Sequence, residues 1–291
     1  SQIAVLTSDQ TSVLLTQQLA AITSDQMPAY DVTLLNQWNS SQWQALRSDA
    51  VSALSTTQMV GLATQQISAM STSQWRALTT DQLPVLSTEQ LIQLSTAGAA
   101  ALTSDQLGSL TTDQLAHLST SQIAVLSTSA IPGLSNPLLA ALQTDQVRAM
   151  SSAQWATLNA DQIPVLTSVQ VPALEAEDLL AWNSAQIQAL TSGQISSLSN
   201  AQLSAFSNTS LDSVTADQMS ALTSAQISAY TTDQYVSLST DQMAALTTAQ
   251  AAGMANDDLT ALLTEQVRAL QVEFVSQLQA TQLQAFTTDQ V

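Results

Sequence analysis

Apolar and polar residues follow one another in this chain with a strict period of eight. Counting from Thr7, each octad follows the phrase [Ser/Thr]-[Ser/Thr]-x-Gln-apolar-x-small-Leu, and 35 full octads reach Phe286 without an insertion or deletion. Position 8 is large and apolar in every octad, and position 5 is apolar in all but one, where Thr11 stands. Such constant phase predicts that each octad fills an equivalent place in a stacked array.

Each octad also carries the start signals of a short helix. Position 1 is Ser or Thr in 22 octads and position 4 is Gln in 26, which is the spacing of a capping box. The apolar residues at positions 8 and 5 flank this start as a hydrophobic staple. Asp at position 3, as in Asp105 and Asp145, lies where the helix dipole favours an anion. We therefore predict an all-α solenoid of very short helices that restart every eight residues.

Proline at position 6 leaves a second fold open. It removes a helical hydrogen bond, so these octads are expected to hold a single turn of 3₁₀ type. Alternatively, the array is a flattened β-solenoid with 16-residue coils. The three-residue step between positions 5 and 8 favours helices, and so does the frequent Ala at position 7. The prolines concerned are Pro28, Pro84, Pro132, Pro164 and Pro172.

One octad does not fold alone. Ordering eight residues costs on the order of 8–16 kcal/mol of backbone entropy, whereas burying two large side chains returns about 3–6 kcal/mol. We therefore expect positions 5, 7 and 8 to be buried between neighbouring octads and positions 2, 3 and 6 to face solvent. A weaker period of 40 residues indicates either partial duplication of the gene or a superhelix with about five octads per turn.

The phase predicts one continuous repeat array over residues 1–291. Full octads occupy residues 7–286, and partial octads stand at both ends. Because the chain begins and ends within the repeated phrase, we expect it to be part of a longer array.

Charge narrows the range of partners. The chain has 22 acidic residues, four arginines and no lysine, for a formal net charge of −18. This balance argues against nucleic acid and against an anionic membrane face, since both require clustered cations. No apolar run approaches the ~20 residues of a membrane span, so we predict no membrane insertion.

No residue pattern points to catalysis, a cofactor or a metal. His117 is the only histidine, and there is no cysteine, so neither a hydrolytic triad nor a zinc site is expected. The acidic clusters at 175–178 and 257–258 lack a calcium-loop motif. The tryptophans (Trp38, Trp43, Trp75, Trp155 and Trp182) all fall at positions 5 or 8, which predicts core residues rather than carbohydrate platforms. The site prediction is therefore none, whether catalytic, cofactor-binding or metal.

The repeated phrase resembles the degenerate octapeptide arrays (LTxxQxxAL type) of long bacterial secreted or cell-surface proteins. The likeness rests on phrases such as LTTDQL at 110–115, LSTDQM at 238–243 and ALTSAQI at 221–227. It implies an extracellular stalk, sheath, filament or adhesin region at the bacterial cell surface.

These observations predict a non-enzymatic structural protein that works through stacking and self-association into a homo-oligomer or filament. The alternative is a binding module, in which rows of Thr and Ser on a β-solenoid match a repetitive ligand such as ice or a glycan. A glycan or another surface ligand is also compatible with the helical array. A disordered mucin-like spacer is disfavoured by the large apolar residue at every position 8.

Overall fold

The computed structural model describes residues 7–291, and these residues form helices, turns and short links with no β-strand. The prediction of a partial octad over residues 1–6 lies outside the described residues. The structure divides into two compact units, one ending at Met150 and the other spanning Ser151–Val291. The predicted all-α array is confirmed, and the β-solenoid alternative, with the ice-binding or glycan-binding face that required it, is wrong.

Over residues 7–150, the first unit contains a succession of α-helices of four to six residues and two shorter 3₁₀ helices. The α-helices are Ser8–Ser12, Thr16–Leu19, Val32–Leu35, Ser40–Ala45, Ser48–Ser52, Thr56–Gly61, Thr64–Ala69, Thr72–Ala77, Thr88–Leu91, Thr96–Ala101, Ser104–Ser109, Thr112–His117, Thr120–Ala124, Asn136–Ala141 and Thr144–Ala149. The 3₁₀ helices are Met27–Ala29 and Ile131–Gly133.

The second unit repeats the same design. Its α-helices are Ser152–Trp155, Ala176–Leu180, Ser184–Gln188, Ser192–Ser197, Asn200–Ser204, Asn208–Asp212, Ala216–Ala221, Ser224–Ile227, Thr232–Ser237, Thr240–Ala244, Asn256–Ala261, Thr264–Ala269, Val272–Val275 and Ala280–Leu283. Its 3₁₀ helices are Ala160–Val165, Val171–Ala173 and Thr248–Gly253.

The helix starts coincide with the capping signals in the sequence. In the octad 103–110, Thr103 has an extended backbone and its hydroxyl accepts from the Gln106 N–H at 3.2 Å. Gln106 Oε1 in turn accepts from the Thr103 N–H at 3.0 Å. Leu110 ends the helix with φ −62° and ψ 149°, and this extended residue leads the chain into the next octad. The restart every eight residues is therefore local chemistry repeated in each unit.

The prolines shorten or tighten their octads as predicted. Pro28, Pro132, Pro164 and Pro172 lie in 3₁₀ helices, while the octad of Pro84 contains only turns. A 3₁₀ turn accommodates proline because fewer of its N–H groups are needed as donors than in a continuing α-helix.

Each helix packs against the helix three octads further along the chain. Ser48–Ser52 contacts Thr72–Ala77, which in turn contacts Thr96–Ala101. Hydrogen bonds also join octads that lie four places apart in the chain, as from Gln114 to Leu83 and Leu86. One superhelical turn within each unit therefore holds between three and four octads, and the hypothesis of about five octads per turn is wrong.

The core consists of the side chains at positions 5 and 8, with one unexpected addition. All five tryptophans are buried, which confirms their prediction as core residues. Position 7, which was expected in the core, is only half-buried in most octads, as at Ser109 and Ala149. The addition is the glutamine at position 4, which is buried throughout most of both units.

Candidate functional site

The buried glutamine joins successive turns of the superhelix. Gln114 Oε1 accepts from the N–H of Thr111 at 2.9 Å, which completes the local cap. Its Nε2 donates to the carbonyl oxygens of Leu83 at 2.9 Å and Leu86 at 2.7 Å, 31 and 28 residues earlier. These carbonyls belong to the turns of the octad 79–86, in which the Leu83 carbonyl also accepts from the Leu86 N–H at 3.2 Å and Leu86 is the last residue. One side chain thus bonds to a helix start and to the end of an earlier octad at once.

The same pair of long-range bonds recurs along both units, and we call the residues that form it the glutamine column. Each member donates from Nε2 to a position 5 carbonyl 31 residues earlier and to a position 8 carbonyl 28 residues earlier. The members are Gln58, Gln74, Gln82, Gln90, Gln106, Gln114, Gln146, Gln186, Gln194, Gln202, Gln218, Gln226, Gln234, Gln242, Gln250, Gln266, Gln282 and Gln290.

Burial of the glutamine depends on this contact between turns. Gln10, Gln18 and Gln26 have no octad four places earlier among the described residues, and all three are exposed. They still accept a hydrogen bond from the backbone N–H three residues before them. The local cap is therefore not sufficient to bury the side chain, and the long-range bonds are what place it in the core.

Two octads carry aspartate in place of this glutamine, and their surroundings compensate. Asp258 accepts from the N–H of Ala255 at 3.2 Å and from the hydroxyl of Thr232 at 2.9 Å. The carbonyl of Ile227, which a glutamine would have bound, instead accepts from the hydroxyl of Tyr235 at 2.6 Å. The lost amide donor is thus replaced by a phenol from another octad.

Asp178 makes the equivalent contacts. Its carboxylate accepts from the Glu175 N–H and from the Ser152 hydroxyl, both at 2.9 Å. Burial raises the pKa of Asp178, although the two hydrogen bonds oppose that shift. Both clusters of acids noted in the sequence therefore contain one buried structural carboxylate, while Glu177 and Asp257 remain exposed.

The outward surface is polar, small and acidic. Position 3 is exposed wherever it is aspartate at a helix start, as at Asp105 and Asp113. Position 6 is exposed in most octads, and in some of them its side chain bonds to the next turn: the Ser204 hydroxyl donates to the Ala229 carbonyl at 3.0 Å. The surface therefore repeats a similar polar chemistry along the array, with single exposed apolar residues such as Val60, Ile92 and Leu180 at position 6.

The remaining candidate residues do not assemble into a reactive site. His117 is exposed, and its Nδ1 lies 2.7 Å from the backbone carbonyl of Asp113 and 3.5 Å from that residue's carboxylate. Arg47 and Arg148 pair with neighbouring exposed aspartates. Within residues 7–291 no three His, Cys, Asp or Glu side chains are grouped so that they could hold a metal ion. Among the same residues, no helix has the length and apolar character needed to cross a membrane.

Short capped helices, a repeated core and a column of shared hydrogen bonds define a helical tandem-repeat protein. Comparison with protein families agrees with this class. A family model described as the ALTTAQ repeat matches the chain three times in tandem, at residues 99–136, 139–176 and 171–208. No curated protein matches the chain in sequence.

Proposed function

We propose that this chain is a non-enzymatic structural array that builds or extends an extracellular stalk, sheath, filament or adhesin region at a bacterial cell surface. The observation that supports this role best is the glutamine column. Because most octads bind the earlier turn through the same side chain, an added octad with glutamine at position 4 extends the array without a new kind of contact. Length then becomes a property of repeat number.

The surface supports a structural role in a second way. Net charge of −18 without a single lysine keeps the array soluble and discourages nonspecific binding of anions. Small polar residues recur on this surface along the array, which favours self-association in a regular register. The resemblance to octapeptide arrays of bacterial surface proteins supports the extracellular setting.

Internal deletions test whether the length of the array depends only on the number of octads. Removal of residues 103–126, three whole octads, joins Leu102 to Ser127 and leaves every octad in phase. Removal of residues 103–122 takes out a similar length but breaks the phase. The first variant should keep the helical circular dichroism spectrum and the melting temperature while its maximum dimension in small-angle X-ray scattering falls. A fall in stability equal to that of the second variant would contradict the mechanism.

Self-association and location need separate measurements. Sedimentation velocity over a wide range of protein concentration should show species larger than the monomer, and electron microscopy should show whether they are filaments. A strict monomer at every concentration would refute self-association while leaving the role as a spacer intact. Protease treatment of intact producing cells should remove the protein if it is extracellular, with a cytoplasmic protein as the protected control.

A further inference from the structure

The octad 207–214 interrupts the glutamine column, because Ser210 occupies position 4. In a complete octad, glutamine accepts from the N–H at position 1 and donates to the position 8 carbonyl four octads earlier. The corresponding groups here are the Ser207 N–H and the Trp182 carbonyl. In the described part of the chain, neither of them has a hydrogen-bond partner.

A cavity of about 260 Å³ lies beside the short side chain of Ser210. It is open to solvent, since Leu180 on its edge is 48% exposed. Trp182 also lines it, and the indole Nε1–H of this buried residue has no hydrogen-bond partner in the described chain. The cavity therefore combines room, access and unpaired polar groups in one place.

Four of the hydroxyl groups that line the cavity are already paired with one another. The Ser207 and Ser210 hydroxyls lie 2.9 Å apart, and the Ser213 hydroxyl donates to the Ser184 hydroxyl at 2.8 Å. What the cavity lacks is an acceptor for the Ser207 N–H and the Trp182 indole N–H, and one donor for the Trp182 carbonyl. A primary carboxamide supplies both from a single planar group, as the absent glutamine would.

We propose that this cavity binds a primary carboxamide, from a small molecule or from a Gln or Asn side chain of a partner. The ligand oxygen accepts from the Ser207 N–H, and the ligand NH₂ donates to the Trp182 carbonyl. Its carbon atoms lie against Leu180 and Ile187, which line the cavity. A carboxylate has no donor for the carbonyl and an ammonium group has no acceptor for the N–H, so the site selects the amide.

The test uses the full chain labelled with ¹⁵N. Its five tryptophans give five indole N–H signals, and Trp182→Phe identifies the one that belongs to the cavity. Propionamide should shift that signal to saturation, whereas propionate and N,N-dimethylpropionamide should bind roughly tenfold more weakly or not at all, because each leaves a polar group unpaired. Absence of a saturable shift up to about 0.3 M, far above the millimolar affinity expected of so small a ligand, would overturn the proposal.

A variant whose own side chain fills the cavity distinguishes amide binding in this cavity from amide binding elsewhere on the protein. Ser210→Gln restores the absent side chain, so it should melt at a higher temperature and lose the propionamide response. Ser220→Gln, at an exposed position outside the cavity, should retain that response. An equal response in Ser210→Gln and the unchanged chain would refute the site.

Two capped tripeptides identify the source of the amide. Acetyl-Ala-Gln-Ala-N-methylamide carries one primary carboxamide, and the Glu analogue carries none. Binding of the Gln peptide alone supports recognition of a protein side chain. Binding of propionamide but of neither peptide supports a small-molecule ligand for the same site.

Discussion

Replacing Gln114 by leucine should remove one link between two superhelical turns without a steric clash. Leucine already occupies this position at Leu138, so its size is tolerated there. The change removes three hydrogen bonds, one from the Thr111 N–H and two to the carbonyls of Leu83 and Leu86, although the Leu83 carbonyl keeps its bond from the Leu86 N–H. At about 1 kcal/mol for each lost hydrogen bond, we expect the free energy of unfolding to fall by about 3 kcal/mol. Urea unfolding followed by circular dichroism measures this loss.

Two further variants decide which part of the side chain is responsible. Gln65→Leu makes the same substitution at an exposed position 3 and should stay within about 0.5 kcal/mol of the unchanged chain. Gln114→Glu keeps the acceptor for Thr111 but loses the amide donor, so it should be destabilised at neutral pH as well. Faster amide hydrogen exchange in the octad 111–118 should locate the effect. If Gln114→Leu loses no more stability than Gln65→Leu, the column does not stabilise the array.

Three other predictions concern local packing and charge. Gly133→Ala should destabilise the chain by about 1–3 kcal/mol in urea unfolding, because its new methyl group meets a backbone carbonyl three octads earlier. Gly193→Ala has open space around it and should stabilise its helix by about 0.5–1 kcal/mol in the same assay. Because burial raises the pKa of Asp178 above its ordinary value of 3.8, the folded form holds this proton more tightly than the unfolded form. The free energy of unfolding should then fall as pH rises through the raised pKa. In unfolding measured from pH 3.8 to neutrality, Asp178→Asn should make this free energy depend less steeply on pH. An unchanged slope would show that the Asp178 carboxylate does not cause the pH dependence. Tyr235→Phe should cost about 1–2 kcal/mol in thermal or urea unfolding, because the Ile227 carbonyl loses the donor that replaces a glutamine; no loss would show that the phenol does not fill this role.

Local features of the fold were readable from the sequence. Thr103 and Gln106 form the capping box that their spacing predicts, and Pro164 lies in a 3₁₀ helix as expected. Both outcomes depend on residues within one octad. The chemistry of a helix start is settled over three or four neighbouring residues, so the eight-residue phrase contains all of it.

Features that depend on the superhelix were harder to predict from the sequence. The predicted capping box explained the hydrogen bond of Gln106 Oε1 but said nothing about Nε2. The carbonyl oxygens that accept from Nε2 belong to residues 28 and 31 positions earlier in the chain. The number of octads per turn depends on the angle between successive short helices, which no single octad specifies. Position 7 is less buried than expected because its burial also depends on the angle between successive helices.

A signal for the interrupted column was nevertheless present. Nine of the 35 octads lack glutamine at position 4, and those of Ser210, Asp178 and Asp258 are three of them. Once position 4 is understood as a link between turns, each departure marks a place where some other group must supply the missing hydrogen bonds. Asp258 has Thr232 and Tyr235 beside it, whereas Ser210 has an open cavity.

The constant span of the glutamine bonds has a consequence for how such an array folds. Every bond closes a loop of 28 to 31 residues, wherever it lies in a unit. No such bond forms until about four octads are ordered together, so the first turn is an unfavourable nucleus. Each later octad then gains its two bonds by ordering only eight more residues. The array therefore follows nucleation and elongation, as a single α-helix does residue by residue, and a longer array has more places at which folding can begin.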